Sequence, residues 1–111
     1  MRNAAIEKSL DKLVLALCAD YPRRVREAAR ADVSPRVEIE LKYINAKIYD
    51  SVAEVVGERF AEAFIMDIGG EIGFAKTDVV GMSESTYKIY KKHAKENIAY
   101  RCPYFAAAQD F

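Results

Sequence analysis

Residues 77–101 read TDVVGMSESTYKIYKKHAKENIAYR. A short apolar piece ending at Val80 runs into a lone Gly81, and Met82 and Ser83 then lead into a long pattern that carries four lysines. Ser83 suits an N-cap, because its hydroxyl can accept from a free backbone N–H of the first turn. Met82 and Tyr87 stand one residue before that cap and four after it, where a hydrophobic staple closes. Tyr87, Tyr90, Ala94 and Ile98 recur at helical spacing and form the side to be buried. The pattern predicts a helix from about Glu84 to about Arg101, ended by Cys102-Pro103. With Gly81 at the turn, residues 73–92 have the length and the apolar flanks of a helix-turn-helix. Its first helix would be short, squeezed between Gly73 and Gly81, with Lys76 and Thr77 where an apolar and a small residue are usual.

The side opposite the apolar stripe carries Ser83, Glu84, Ser85, Lys88, Ile89 and Lys92. In a docked recognition helix such N-terminal, outward positions meet base edges. Hydroxyls and lysines hydrogen-bond bases, and a glutamate accepts from a cytosine amino group. Lys91, Lys92 and Lys95 are placed to meet phosphates, which adds affinity without sequence information. The expected partner is double-stranded DNA. A solvated lysine-rich helix face is an equally common use of such a pattern.

Bulk properties set the frame for this stretch. At 111 residues the chain has the size of one domain, and half of it is hydrophobic. Five glycines and three prolines are few breakers, so an all-α fold is expected, a small bundle of about five helices. Residues 1–56 would form a helical scaffold and residues 57–111 the helix-turn-helix region of a single compact domain. The net charge is zero, yet residues 74–102 hold six basic side chains against three acidic ones. Such a local excess steers binding at a patch. Cys18 and Cys102 lack any CxxC context, and with His93 alone no zinc ligand set assembles. Cys18 lies in an apolar run and reads as a buried thiol, which fits a reducing, cytoplasmic setting. The run Leu13–Ala19 is too short to span a bilayer, and its lead is of mixed charge rather than basic. Neither export nor membrane insertion is expected, and no cofactor is implied.

Upstream, Ile6, Leu10, Leu13 and Leu17 fall on one face of a first helix over residues 4–19, widened by Val14 and Cys18. Asp20-Tyr21-Pro22 breaks it. A second helix is expected over residues 22–31. Arg23, Arg26 and Arg30 make a stripe on it with Arg24 close by. That stripe reads first as a solvent face paired with Glu27 and Asp20, and second as a phosphate-contacting surface. Ser34-Pro35 opens the cleanest helix, as N-cap and first residue. Val37, Leu41, Ile44, Ile48, Val52 and Val55 follow at near-heptad spacing. A core role suits this stripe better than the alternative, a homodimer through residues 35–56. After Gly57, the residues Phe60, Ala61, Phe64, Ile65 and Ile68 line a fourth helix, stopped by Gly69-Gly70. Glu58, Glu62 and Asp67 read as its solvent face. The segment GGEIGF, residues 69–74, lacks what a phosphate-binding loop needs before and after it. The C-terminal tail would dock through Tyr104, Phe105 and Phe111, or fray.

Glu58-Arg59, Gly81-Met82-Ser83-Glu84, Thr86-Tyr87, Ala94 and Ile98-Ala99 together resemble region four of sigma factors. The small phage and prophage regulators of the ArpU and RinA type are the nearest likeness. The resemblance covers roughly residues 56–101. It implies sequence-specific DNA binding, activation of phage late genes and a contact with RNA polymerase. A dimer would suit such a protein, since paired half-sites are usual. No catalytic constellation is recognisable, so the chain is read as non-enzymatic. The competing class is a helical protein-interaction module, such as a phage packaging or morphogenesis subunit, with no DNA contact.

Overall fold

The computed structural model describes residues 4–70, 73, 74, 77, 79 and 81–102, with side chains from Leu10 onward. Ile6, Lys76, Val80 and the tail residues Tyr104, Phe105 and Phe111 lie outside the side chains so described. Among the described residues there are five α-helices: α1 Ala4–Ala19, α2 Tyr21–Ala28, α3 Pro35–Val56, α4 Glu58–Gly70 and α5 Glu84–Arg101. The all-α expectation holds.

Local chemistry sets the helix ends. The Ser34 hydroxyl accepts from the Val37 N–H at 3.3 Å, Pro35 supplies a preset φ, and Glu38 stands near the positive end of α3. Gly57 closes α3 at φ +88°, a conformation that favours glycine, and its N–H bonds the Ala53 carbonyl at 2.8 Å. Between α1 and α2 the break is a single residue, Asp20, with Pro22 in the first turn of α2. Helix α2 is shorter than expected, ending at Ala28 instead of about residue 31. Arg30 beyond it turns to Asp32, at 2.9 Å.

Four helices form a ring. Helix α1 packs on α4, α4 on α3, α3 on α5, and α5 closes onto α1, while α2 lies outside the ring on α3. The smallest dimension is 20 Å, two helix layers. Inside the ring sit Val14 and Cys18 of α1, Ile48 and Val52 of α3, Phe64, Ile65 and Ile68 of α4, and Tyr87, Ala94 and Ile98 of α5. The core thus runs across the junction of residues 56 and 57. The stripe foreseen on α3 is buried in its second half, at Ile48 and Val52, whereas Val37 is exposed. On α5, Tyr90 lies at the exposed edge instead of within the buried stripe.

Two close contacts join the helices. Arg24 was expected beside the surface stripe of Arg23, Arg26 and Arg30, but it is buried. Its Nε donates to Asn45 Oδ1 at 2.6 Å, another nitrogen donates to the Leu17 carbonyl, and a third faces Asp20 at 3.1 Å. Asn45 in turn donates to the Tyr21 carbonyl at 3.1 Å. One guanidinium therefore satisfies the negative end of α1 and ties α2 to α3. Arg23 instead stays on the surface, where it pairs with Glu27 and, at 2.6 Å, with Asp20. Its hydrogen bonds hold the Asp20 carboxyl below its ordinary value.

Gly69 makes the second contact. It lies inside α4 and does more than stop it. A Cβ there would lie 2.5 Å from the carbonyl carbon of Cys18 and 2.7 Å from Ala19 Cα, both main-chain atoms of α1. Glycine is what lets α4 and α1 touch backbone to backbone. Gly69→Ala should therefore push the two helices apart and destabilise the fold by about 2 kcal/mol or more, read from urea denaturation monitored by circular dichroism.

Candidate nucleic-acid interface

Helix α5 is positioned from its inner side by a buried carboxylate. Asp67 of α4, expected on a solvent face, is fully buried. Gly73 N–H donates to its Oδ1 at 2.6 Å, the Tyr87 hydroxyl donates to its Oδ2, and the Lys91 ammonium stands 3.2 Å from Oδ2. Thr77 Oγ1 lies 3.2 Å from the Tyr87 hydroxyl and donates its own proton to the Gly73 carbonyl at 2.6 Å. The Tyr87 ring stacks on Phe64, with centroids 4.6 Å apart, and meets Phe74 at 5.3 Å. One carboxylate thereby joins α4, the link and α5. Burial alone would raise the Asp67 carboxyl, but the Tyr87, Gly73 and Lys91 donors outweigh it and hold the group below its ordinary value. Burial, reinforced by the bond to Asp67, pushes the Tyr87 phenol up, so it stays protonated as a donor.

The same network explains why the link departs from a helix-turn-helix. Gly73, Phe74, Thr77, Val79 and residues 81–83 lie outside any α-helix. In a helix the Gly73 carbonyl would accept from the Thr77 N–H. Here the Thr77 hydroxyl takes that carbonyl, and the Thr77 N–H bonds Phe74 at 3.2 Å. Gly73 also sits at φ +86°. The short first helix foreseen between Gly73 and Gly81 is thus not present among the described residues. The helix that precedes α5 is α4, and it ends at Gly70. Gly81 does turn the chain, at φ +88°.

On the outer side, Ser83, Glu84, Ser85, Lys88, Ile89 and Lys92 are all exposed. Ser83 is committed to capping, accepting from the Thr86 N–H at 3.2 Å and donating to Thr86 Oγ1 at 2.9 Å. Lys88 reaches back to Glu84 at 3.8 Å, an exposed pair worth little. Lys91 and Lys95, placed on the DNA backbone by sequence reasoning, turn inward instead. Lys91 serves Asp67, and Lys95 lies 2.6 Å from Asp11 on α1. The reason is geometric: α5 closes the ring against α1 and α4, so its flanking lysines find carboxylates on both neighbours. Between α1 and α5 a groove of about 620 Å³ has Leu10, Val14 and Ala99 at its base and Lys88, Lys91, Lys92 and Lys95 around it, with Asp11 and Glu96.

Other chemistry is sparse. Among the described residues no group of three or more His, Cys, Asp or Glu could hold a metal ion. Cys18 and Cys102 are both buried, and burial pushes the Cys18 thiol up to about 12, which leaves it protonated and unreactive. No helix among the described residues is long and apolar enough to cross a membrane. Sequence patterning missed Asp67 and Arg24 because it followed their charge rather than their spacing: Asp67 stands three residues after Phe64, and Arg24 three after Tyr21 and four before Ala28. Comparison of the chain with models of protein families, with curated proteins and with solved structures found no match.

The lysines of α5 should separate by experiment. Lys91→Ala leaves a buried carboxylate short of its cation and should cost about 1–3 kcal/mol of stability, whereas Lys92→Ala should stay within about 0.5 kcal/mol of the parent; urea melts of both variants check this. The depressed Asp67 carboxyl adds stability above the ordinary carboxylate range, and that stability is lost as pH falls through it. Asp67→Asn should lower stability at neutral pH by about 2–3 kcal/mol and flatten the acid limb of the stability–pH curve below about pH 4.

Proposed function

We propose that the protein is a DNA-binding transcriptional regulator that lays the outer face of α5 against a duplex. One observation supports this above others: Ser85, Lys88, Ile89 and Lys92 stand together on the solvent side of a helix whose inner side is pinned. A rigid helix with polar and cationic side chains toward water suits the width of a major groove. In this reading Lys88 and Lys92 engage phosphate or base edges, while Ser85, Glu84 and Ile89 sample base edges. Ser83 contributes by capping rather than by contact. Lys91 and Lys95 are neutralised by their own carboxylates and contribute little to the duplex contact. The resemblance to sigma region four carries the reading on to a phage or prophage regulator that contacts RNA polymerase.

The second reading is a helical interaction module, free of DNA contact, as in phage packaging or morphogenesis. The exposed Ile89 beside Tyr90 favours it, since apolar side chains on a lysine-rich face suit a protein partner.

Fluorescence anisotropy with a random-sequence duplex, at low and high salt, separates the two. DNA binding should weaken steeply as salt rises, with a log–log slope of about 0.9 per phosphate engaged. The Lys88→Ala, Lys92→Ala double variant should bind more weakly and reduce that slope by about 2, with its helical spectrum unchanged. Absence of binding at low salt would overturn the DNA reading in favour of the interaction module.

A further inference from the structure

The outer face of α3 carries a pattern that the core does not use. Ile39 and Tyr43 are 68% and 52% exposed, large apolar side chains one helical turn apart. Arg36 and Asp50 lie on the same face, each seven residues from Tyr43 and on opposite sides of it. Glu40 and Lys47 lie between them, three residues before Tyr43 and four after it. Positions 36, 39, 43, 46 and 50 repeat every three and four residues, the spacing of a helix–helix seam. The inward stripe through Leu41, Ile48 and Val52 occupies the other side of the helix.

We infer that this face is a self-association surface, on which a second copy of the chain seats its own α3 antiparallel, with a two-fold axis at Tyr43. Charge fixes both the partner and its direction. In a parallel pair Arg36 would meet Arg36, Lys47 would meet Lys47 and Asp50 would meet Asp50 of the second copy. In the antiparallel pair Arg36 meets Asp50 and Glu40 meets Lys47, and the two-fold axis doubles each contact. An isologous interface needs this kind of self-complementary patch. At the axis Tyr43 meets Tyr43, and each Lys47 stem covers apolar surface beside Ile39. In the free chain these charges have only exposed or partial partners. Arg36 is 3.6 Å from Glu40 on the surface, and the Lys47 ammonium stands 5.6 Å from the Tyr43 ring centroid. The surface lies on a different helix from the DNA-binding face proposed above, so either can hold without the other.

Residues 36–50 span about 21 Å of helix, so a weak, concentration-dependent dimer is expected. Sedimentation velocity of the full chain over a dilution series, up to about 1 mM, should show a reversible monomer–dimer equilibrium. Arg36→Glu and Asp50→Lys should each raise the dissociation constant about ten-fold, since both symmetry-related pairs become repulsive. An equimolar mixture of those two variants should regain the affinity of the parent, because opposite charges then face each other in the mixed pair. Tyr43→Lys, at an exposed position, should abolish association with the helical spectrum unchanged. A parent that stays monomeric throughout, a mixture that fails to recover, or a Tyr43→Lys variant that still dimerises would each overturn the inference.

Discussion

The arrangement of the C-terminal half depends on one buried negative charge. Asp67 gives up its hydration, and that loss is offset only because three donors, one from the link and two from α5, converge on two oxygens. A carboxylate in so apolar a setting costs far more alone than it does fully bonded. The three donors must therefore be delivered together: a backbone N–H from the link, a phenol and an ammonium from α5. This requirement sets where the link passes and how α5 is rotated about its axis. Tyr87 and Lys91, four residues apart on α5, are drawn to the same point, and the side with Ser85, Lys88, Ile89 and Lys92 is turned outward as a consequence.

Arg24 plays a matching part. It collects Asn45, Asp20 and the Leu17 carbonyl where α1, α2 and α3 meet. Both are charged side chains inside a small all-helical fold, and both act between elements rather than within one. Apolar contacts along the ring resist slipping only weakly, because hydrophobic burial has little directional preference. The two polar clusters supply direction. Gly69 complements them by removing a side chain where α4 and α1 would otherwise be held apart.

These details bear on the proposed DNA contact. Of the lysines on α5, two are tied to the protein's own carboxylates and two point into solvent. The cationic surface is therefore narrower than composition implies, and it lies over the first three turns of the helix. The described residues of the link between α4 and α5 lie outside any α-helix, which gives α5 a setting unlike a tight two-helix turn. In the proposed contact α5 would approach a duplex as one corner of a bundle, with α1 beside it across the lysine-bordered groove.

The residues alone determined a good deal. Ser34-Pro35, Gly57, Ser83 and Pro22 mark helix ends through chemistry confined to one turn, so the order and approximate bounds of five helices follow from local sequence. Buried positions such as Val14, Val52, Phe64 and Ile98 follow from apolar spacing, because a helix has one inward side. Only the tertiary structure decided the fate of the charges. Their charge assigns Asp67, Arg24, Lys91 and Lys95 to solvent even where spacing does not, since Lys91 is in register with Tyr87, Ala94 and Ile98 and Arg24 with Tyr21 and Ala28. What buries or neutralises them comes from other helices. Periodicity records one helix at a time, whereas an ion pair between helices depends on their packing, and that packing alone distinguishes the lysines that hold the bundle together from those that face water.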